Sequence, residues 1–168
     1  GTLMSHAILD SDAPVKAMIV VAGNPVLSIG GEERLRKAFE QLDLLVCIDL
    51  YRNATGELAD WVLPATDELE RDDLNIVNIG TSHRPFAQYT PAVVEPAGQR
   101  KPEWWIVAAL LKAMGRPSLL DDETPDPWAK WRHMLARRGI DLAALADEVQ
   151  VLEPPLPGRF FDEQVQTV

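Results

Sequence analysis

The chain has 168 residues, 46% of them apolar, enough for one sizeable core of ordinary globular type with an appendage. Its formal net charge of −10 repels phosphate backbones and acidic membrane surfaces, which argues against nucleic acid as a partner; an anionic cofactor stays compatible, because backbone N–H groups and a local cation act at close range. A lone cysteine excludes a disulfide or iron–sulfur cluster held by this chain alone, and no stretch reaches the roughly 20 apolar residues of a membrane span.

The chain opens Gly1-Thr2-Leu3-Met4, which reads as a processed or engineered start, and no segment has the basic start and apolar middle of a secretory signal. The cytoplasm is the expected compartment, with the periplasm as the alternative. Ala17 to Ala22 is a short apolar run that predicts a buried strand entering a turn at Gly23-Asn24-Pro25. After Gly30-Gly31, the spacing of Leu35, Ala38, Phe39 and Leu42 predicts an amphipathic helix over 32–42, with acids in its first turn. Leu44 to Ile48, closed by Asp49, is apolar on both faces and predicts a strand in a sheet covered by helices. Strand, helix, strand in that order implies a parallel pair.

The polar stretch 52–58 predicts a helical turn or two, and 59–64 a third brief strand that Pro64 terminates. Residues 66–73 are rich in charge, and 74–89 lack periodicity and read as an extended loop. An irregular, proline-rich connector over 91–102 leads to a helix at 103–114, with Pro102 just inside its first turn and Gly115 and Pro117 as its stop. Further helices are expected at about 128–138 and 142–149, followed by a tail over 153–168 whose Phe160-Phe161 needs a surface to pack against. These elements predict an α/β fold, a Rossmann-like parallel sheet flanked by helices over 1–117, with a small C-terminal helical annex and extended tail over 118–168.

In a sheet of this kind the ligand crevice lies at the carboxyl ends of the strands. Gly23, Asn24 and Pro25 stand there as an ordinary turn or as a ligand loop, glycine allowing close backbone approach and asparagine offering donor and acceptor. Asp49 at the adjacent strand end is either a loop cap or a carboxylate reading purine N–H groups or ribose hydroxyls. The G-x-G-x-x-G of nicotinamide enzymes is absent. Within the charge run 69–73, Arg71 is the cation a pyrophosphate would need; Glu103 suits a helix first turn; Trp104 and Trp105 read as core anchors. His6, His83 and His133 are too scattered for a metal site, no nucleophile and base stand together, and Cys47 reads as a small buried hydrophobe.

Four segments taken together, AMIVVAGNPVLS (17–28), LLVCIDLYRNATGELADWVLP (44–64), LERDD (69–73) and KPEWWIVAALLKAMG (101–115), resemble the molybdopterin oxidoreductase family, the bis-molybdopterin guanine dinucleotide enzymes, over about residues 6–116. The resemblance implies the central cofactor-binding domain of such an enzyme, without catalytic residues of its own and inactive when isolated. Asn24 matches the turn residue that contacts the cofactor, Ala22, Gly23 and Ser28 its neighbours, Ile48 and Asp49 the strand-end pair near the guanine, Arg71 a position often basic, and Glu103 an acidic contact. Asp73 replaces a glycine common in other branches.

The implied cofactor is molybdopterin guanine dinucleotide carrying molybdenum or tungsten, with an iron–sulfur cluster elsewhere in the parent. The implied partners are the parent's remaining domains and an electron-transfer partner that the sequence does not identify. A stand-alone purine-nucleotide-binding or regulatory module is the alternative from another class, and the central domain of a thiamine-diphosphate enzyme ranks third.

Overall fold

The protein is described by a computed structural model over residues 3–75 and 85–151. The described residues fall into two compact units, drawn from Gly1–Asp67 with Pro96–Leu120 and from Glu68–Glu95 with Asp121–Val168. The chain therefore changes unit after residues 67, 95 and 120, whereas the composition break lies at 117/118. The Phe160-Phe161 tail lies outside the described residues.

The first unit is built on three parallel strands, β1 (Ala17–Val21), β2 (Leu44–Asp49) and β3 (Trp61–Pro64), in the order β1-β2-β3. Ala17 pairs with Leu44 and Val21 with Ile48, while Val46 pairs with Trp61 and Asp49 with Pro64. The continuous apolar run of β2 fits its central place, since Leu45 and Cys47 face one side of the sheet and Val46 and Ile48 the other, all four buried. On the first side Ile8 of α1 (Met4–Leu9), Val26 of α2 (Pro25–Ser28), and Leu35, Ala38 and Phe39 of α3 (Glu32–Phe39) pack around Leu45, with Met18 and Val20 against them. On the second, Ile106 of α4 (Glu103–Ala113) packs with Ile48 and Ala65, supported by Leu63 and Leu110.

β1 departs from the fully buried strand that its composition predicts. It lies at a sheet edge, with Met18 and Val20 half-buried but Ile19 and Val21 left 53% and 47% exposed. α3 starts on Gly31, whose φ of +87° is the left-handed conformation that favours glycine, and Glu32–Arg36 and Glu33–Lys37 pair along its surface. It ends at Phe39 rather than Leu42 because the bonding tightens there, Gln41 N–H reaching Ala38 and Leu42 N–H reaching Phe39. Pro102 is the residue before α4, extended at φ −62° and ψ 147°, and not its first turn. Trp105 is exposed rather than a core anchor, with Lys101 Nζ 5.5 Å from its ring centroid. α1 has no counterpart in the sequence reading; burial of Ser5 and Ile8 holds it, and Asp10 just beyond it bonds both His6 and Arg34.

Asp60 fastens the opposite end of the sheet from the crevice. Its N–H donates to Leu45 O at 2.9 Å and its carboxylate accepts from Leu45 N–H at 2.7 Å, so one residue satisfies both backbone groups at the head of the central strand. Asp60→Ala leaves a backbone N–H beside the core without its partner, a loss of about 1–3 kcal/mol. Urea unfolding should show it, with Asp60→Asn, which keeps an acceptor, close to the parent.

In the second unit β4 (Asp73–Leu74) pairs antiparallel with β6 (Tyr89–Thr90), and β5 (Phe86–Ala87) with β7 (Gln150–Val151). Part of the stretch read as loop is thus paired; two-residue strands are too short to carry an alternation. Leu74, Ala87, Leu135, Ile140, Leu142 and Leu145 form the core, and Tyr89 meets Trp128 edge to face with centroids 5.8 Å apart. α5 covers Ala129–Ala136. The helix expected over 142–149 shrinks to a single turn, Ala144–Ala146, with Asp147 and Glu148 bringing unfavourable negative charge to its carboxyl end.

Candidate nucleotide site at the carboxyl ends of β1 and β2

Gly23 follows β1 by two residues, and Asp49 closes β2. Between the two strands, Ala22 N–H donates to Ile48 O at 2.9 Å. Ala22 itself has φ +48°, the left-handed region that a Cβ disfavours by about 1–2 kcal/mol. The strain thus sits on an alanine and not on the glycine beside it. Gly23 has no left-handed φ, and a Cβ there would make only ordinary contacts, 3.6 Å to Val21 O and 3.7 Å to Val20 Cγ1. Among the described residues nothing crowds position 23, where the backbone is left without a side chain.

Asn24 precedes α2, and its carbonyl accepts from Leu27 N–H, Ser28 N–H and Ser28 Oγ–H at 2.9–3.0 Å. Ser28 therefore spends its proton on its own helix and has only acceptor capacity to offer beyond it. Thr55, wholly buried, donates its hydroxyl to Asn24 Oδ1 at 2.9 Å and accepts from Val26 N–H at 3.2 Å. Asp49 Oδ1 accepts from Leu50 N–H at 2.7 Å and Tyr51 N–H at 3.4 Å, while Asp49 Oδ2 accepts from Asn53 Nδ2 at 3.0 Å. The same Nδ2 reaches Gly23 O at 3.4 Å, and Asn53 Oδ1 collects the N–H groups of Thr55 and Gly56 at 3.0 and 3.1 Å. One chain of polar contacts thus runs from Asn24 through Thr55 and Asn53 to Asp49.

The loop-cap reading of Asp49 is therefore real in the structure, and it leaves part of the half-buried carboxylate's acceptor capacity unused, chiefly on Oδ2. Ile48 has its side chain in the core under α4 and its carbonyl on Ala22, so it shapes the strand end. Glu103 opens α4. Lys101 bridges Ala65 in parallel beside the end of β3, with Lys101 N–H on Pro64 O and Thr66 N–H on Lys101 O, which brings Glu103 to the same edge of the sheet beyond β3. Arg71 is half-buried in the second unit.

Sequence reasoning passed over Asn53 and Thr55. Their signal was two hydrogen-bonding side chains four and six residues beyond Asp49, in a stretch read only as a helical turn; it is a short 3-10 turn, Gly56–Leu58, that Asn53 organises.

The site has the chemistry of binding. Burial pushes the Cys47 thiol up from its ordinary range, reinforced by the Asp49 carboxylate, which favours the protonated thiol. Among the described residues no group of three His, Cys, Asp or Glu side chains could hold a metal ion. What the strand ends offer is an amide, a carboxylate and bare backbone, groups that hydrogen-bond a polar ligand.

The family model described as molybdopterin oxidoreductase matches residues 2–113. A probable oxidoreductase of Bacillus subtilis (strain 168), YyaE, is 30% identical over 125 residues, 74% of this chain and 18% of that protein. Acetylene hydratase of Syntrophotalea acetylenica is 35% identical over 102 residues, 61% of this chain and 14% of that one. Among solved structures, acetylene hydratase from Pelobacter acetylenicus superposes with a TM-score of 0.68 at 26% identity, over 96% of this chain and 21% of its own. The chain thus spans less than a fifth of the length of these curated relatives.

Proposed function

The chain belongs to the molybdopterin oxidoreductase family, whose cofactor is a molybdenum or tungsten pterin, and on that premise we propose that it grips the guanosine diphosphate end of a molybdopterin guanine dinucleotide. The observation that carries the reading is the linked pair of Asn24 and Asp49 at the carboxyl ends of adjacent parallel strands, beside a backbone left bare at Gly23. Ala22, Ser28 and Ile48 shape this loop. Asp49 reads the purine N–H groups, and Glu103 at the same edge of the sheet supplies an acidic contact. The parent is a molybdopterin-dependent enzyme in which the metal, when bound, supplies the oxidation–reduction chemistry. This chain orients the cofactor and turns nothing over alone. An iron–sulfur cluster and the residues facing the substrate belong to other domains of that parent.

Calorimetric titration of the 168-residue chain with GDP and ADP tests the reading. GDP should bind at least about tenfold more tightly, as expected for a carboxylate that meets guanine N1–H and the exocyclic amine, where adenine presents the N1 lone pair and C2–H. Equal affinities, or no binding of either, overturn it.

A further inference from the structure

The contacts between the two strand ends fix more than their spacing. The Thr55 hydroxyl donates its one proton to Asn24 Oδ1 at 2.9 Å while its oxygen accepts from Val26 N–H at 3.2 Å. With Oδ1 taken by Thr55, the Nδ2 group and its two donors are what Asn24 has left for a ligand. Asn53 acts in the same way on the other strand. With its Oδ1 held by the Thr55 and Gly56 N–H groups, its Nδ2 must point at Asp49 Oδ2 and Gly23 O, which ties the carboxylate and the β1 loop to one side chain.

We propose that Asn53 and Thr55 are positioning residues that present Asn24 to the ligand as a hydrogen-bond donor and Asp49 as an acceptor, so that the ligand atom facing Asn24 is a hydrogen-bond acceptor of the nucleotide. This rests on the nucleotide-binding reading above. The two residues touch no ligand in this scheme. They set which chemistry each strand end offers, a donor from β1 and an acceptor from β2, and hold both in one geometry before binding.

The test is titration of the full 168-residue chain and three variants with GDP and with guanosine. Thr55→Val keeps the shape and removes the hydroxyl, Asn53→Ala removes the bridge, and Thr55→Ser keeps both hydrogen bonds. Thr55→Val and Asn53→Ala should each weaken GDP binding about tenfold, the usual effect of losing a partner that orients a ligand-binding side chain, and Thr55→Ser should bind as the parent does.

A purely structural threonine would lower the melting temperature in Thr55→Val while leaving GDP affinity below the transition unchanged, and that result overturns the proposal. If guanosine loses affinity in step with GDP, the acceptor facing Asn24 lies on the guanosine; if only GDP does, it is a phosphate oxygen, and either pattern supports the assignment. Should Thr55→Val fail to fold, Asn53→Ala with the Thr55→Ser control decides. A parent that binds GDP no better than ADP removes the nucleotide reading itself, whereas a parent with GDP preference that both variants keep overturns the positioning alone.

Discussion

Phe39→Ala is expected to destabilise the chain by about 3–5 kcal/mol, the largest effect of any single truncation in the first unit. Phe39 is only 2% exposed and sits at the last turn of α3, within the cluster where Ile8, Val26, Leu35, Ala38 and Leu45 also meet. Removing its ring leaves a cavity bordered by α1, α2 and β2, elements tied to separate stretches of chain, so collapse of any one onto the void disturbs the others. A domain of this size has a total margin of about 5–15 kcal/mol, so a substantial unfolded fraction at 37 °C is the expected result. Urea unfolding followed by circular dichroism measures it through the shift of the midpoint. Trp61→Ala, which removes a still larger side chain from a position 65% exposed on β3, is expected to change stability by about 0.5 kcal/mol or less. Equal losses for the two would mean that the core does not lie where α3 meets the sheet.

That core was legible because a strand buried on both faces has to be apolar throughout. Leu44 to Ile48 advertises β2 without reference to any neighbour, and Leu35, Ala38 and Phe39 fall on one face of a helix by spacing alone. β1 carries the same kind of run, yet composition does not say whether a second layer lies over Ile19 and Val21. The pairing of β4 with β6 and β5 with β7 was invisible for another reason. Two-residue strands have no period, and their partners lie 15 residues or more away in sequence. α1 is too short to show a repeat, and it forms because Ile8 finds a core to enter.

The candidate site divides along the same line. Asn24 and Asp49 could be placed side by side from sequence, since a strand–helix–strand unit puts the carboxyl ends of both strands at one edge. What connects them could not. Asn53 and Thr55 act through the direction of an amide and of a hydroxyl proton; the amide is oriented locally by the Thr55 and Gly56 N–H groups, but what both side chains reach, Gly23, Asn24 and Val26, lies about 30 residues away in sequence. The left-handed Ala22 is equally unreadable, because the chain puts strain on a residue type that ordinarily avoids it while Gly23 next to it is relaxed.

Asp49→Asn is the substitution expected to affect ligand binding most. The new side chain keeps one oxygen, and the Leu50 N–H at 2.7 Å from Oδ1 is the strongest claim on it. The new NH2 then takes the place of Oδ2, where it meets the Asn53 amide donor at 3.0 Å and turns donors toward the crevice. Guanine offers N1–H and an exocyclic amine on the edge that the carboxylate would read, so donor faces donor and a charge-assisted contact is lost. That loss amounts to about 1.5–3 kcal/mol, or roughly 10- to 150-fold in affinity for GDP. ADP lacks the matching N–H groups on that edge and should change by much less, so the preference for guanine narrows as affinity falls. IDP, without the exocyclic amine, separates the two contacts: the parent should bind it more weakly than GDP, and Asp49→Asn should bind the two alike. A uniform loss across GDP, IDP and ADP would instead make Asp49 the cap of its own loop and nothing more.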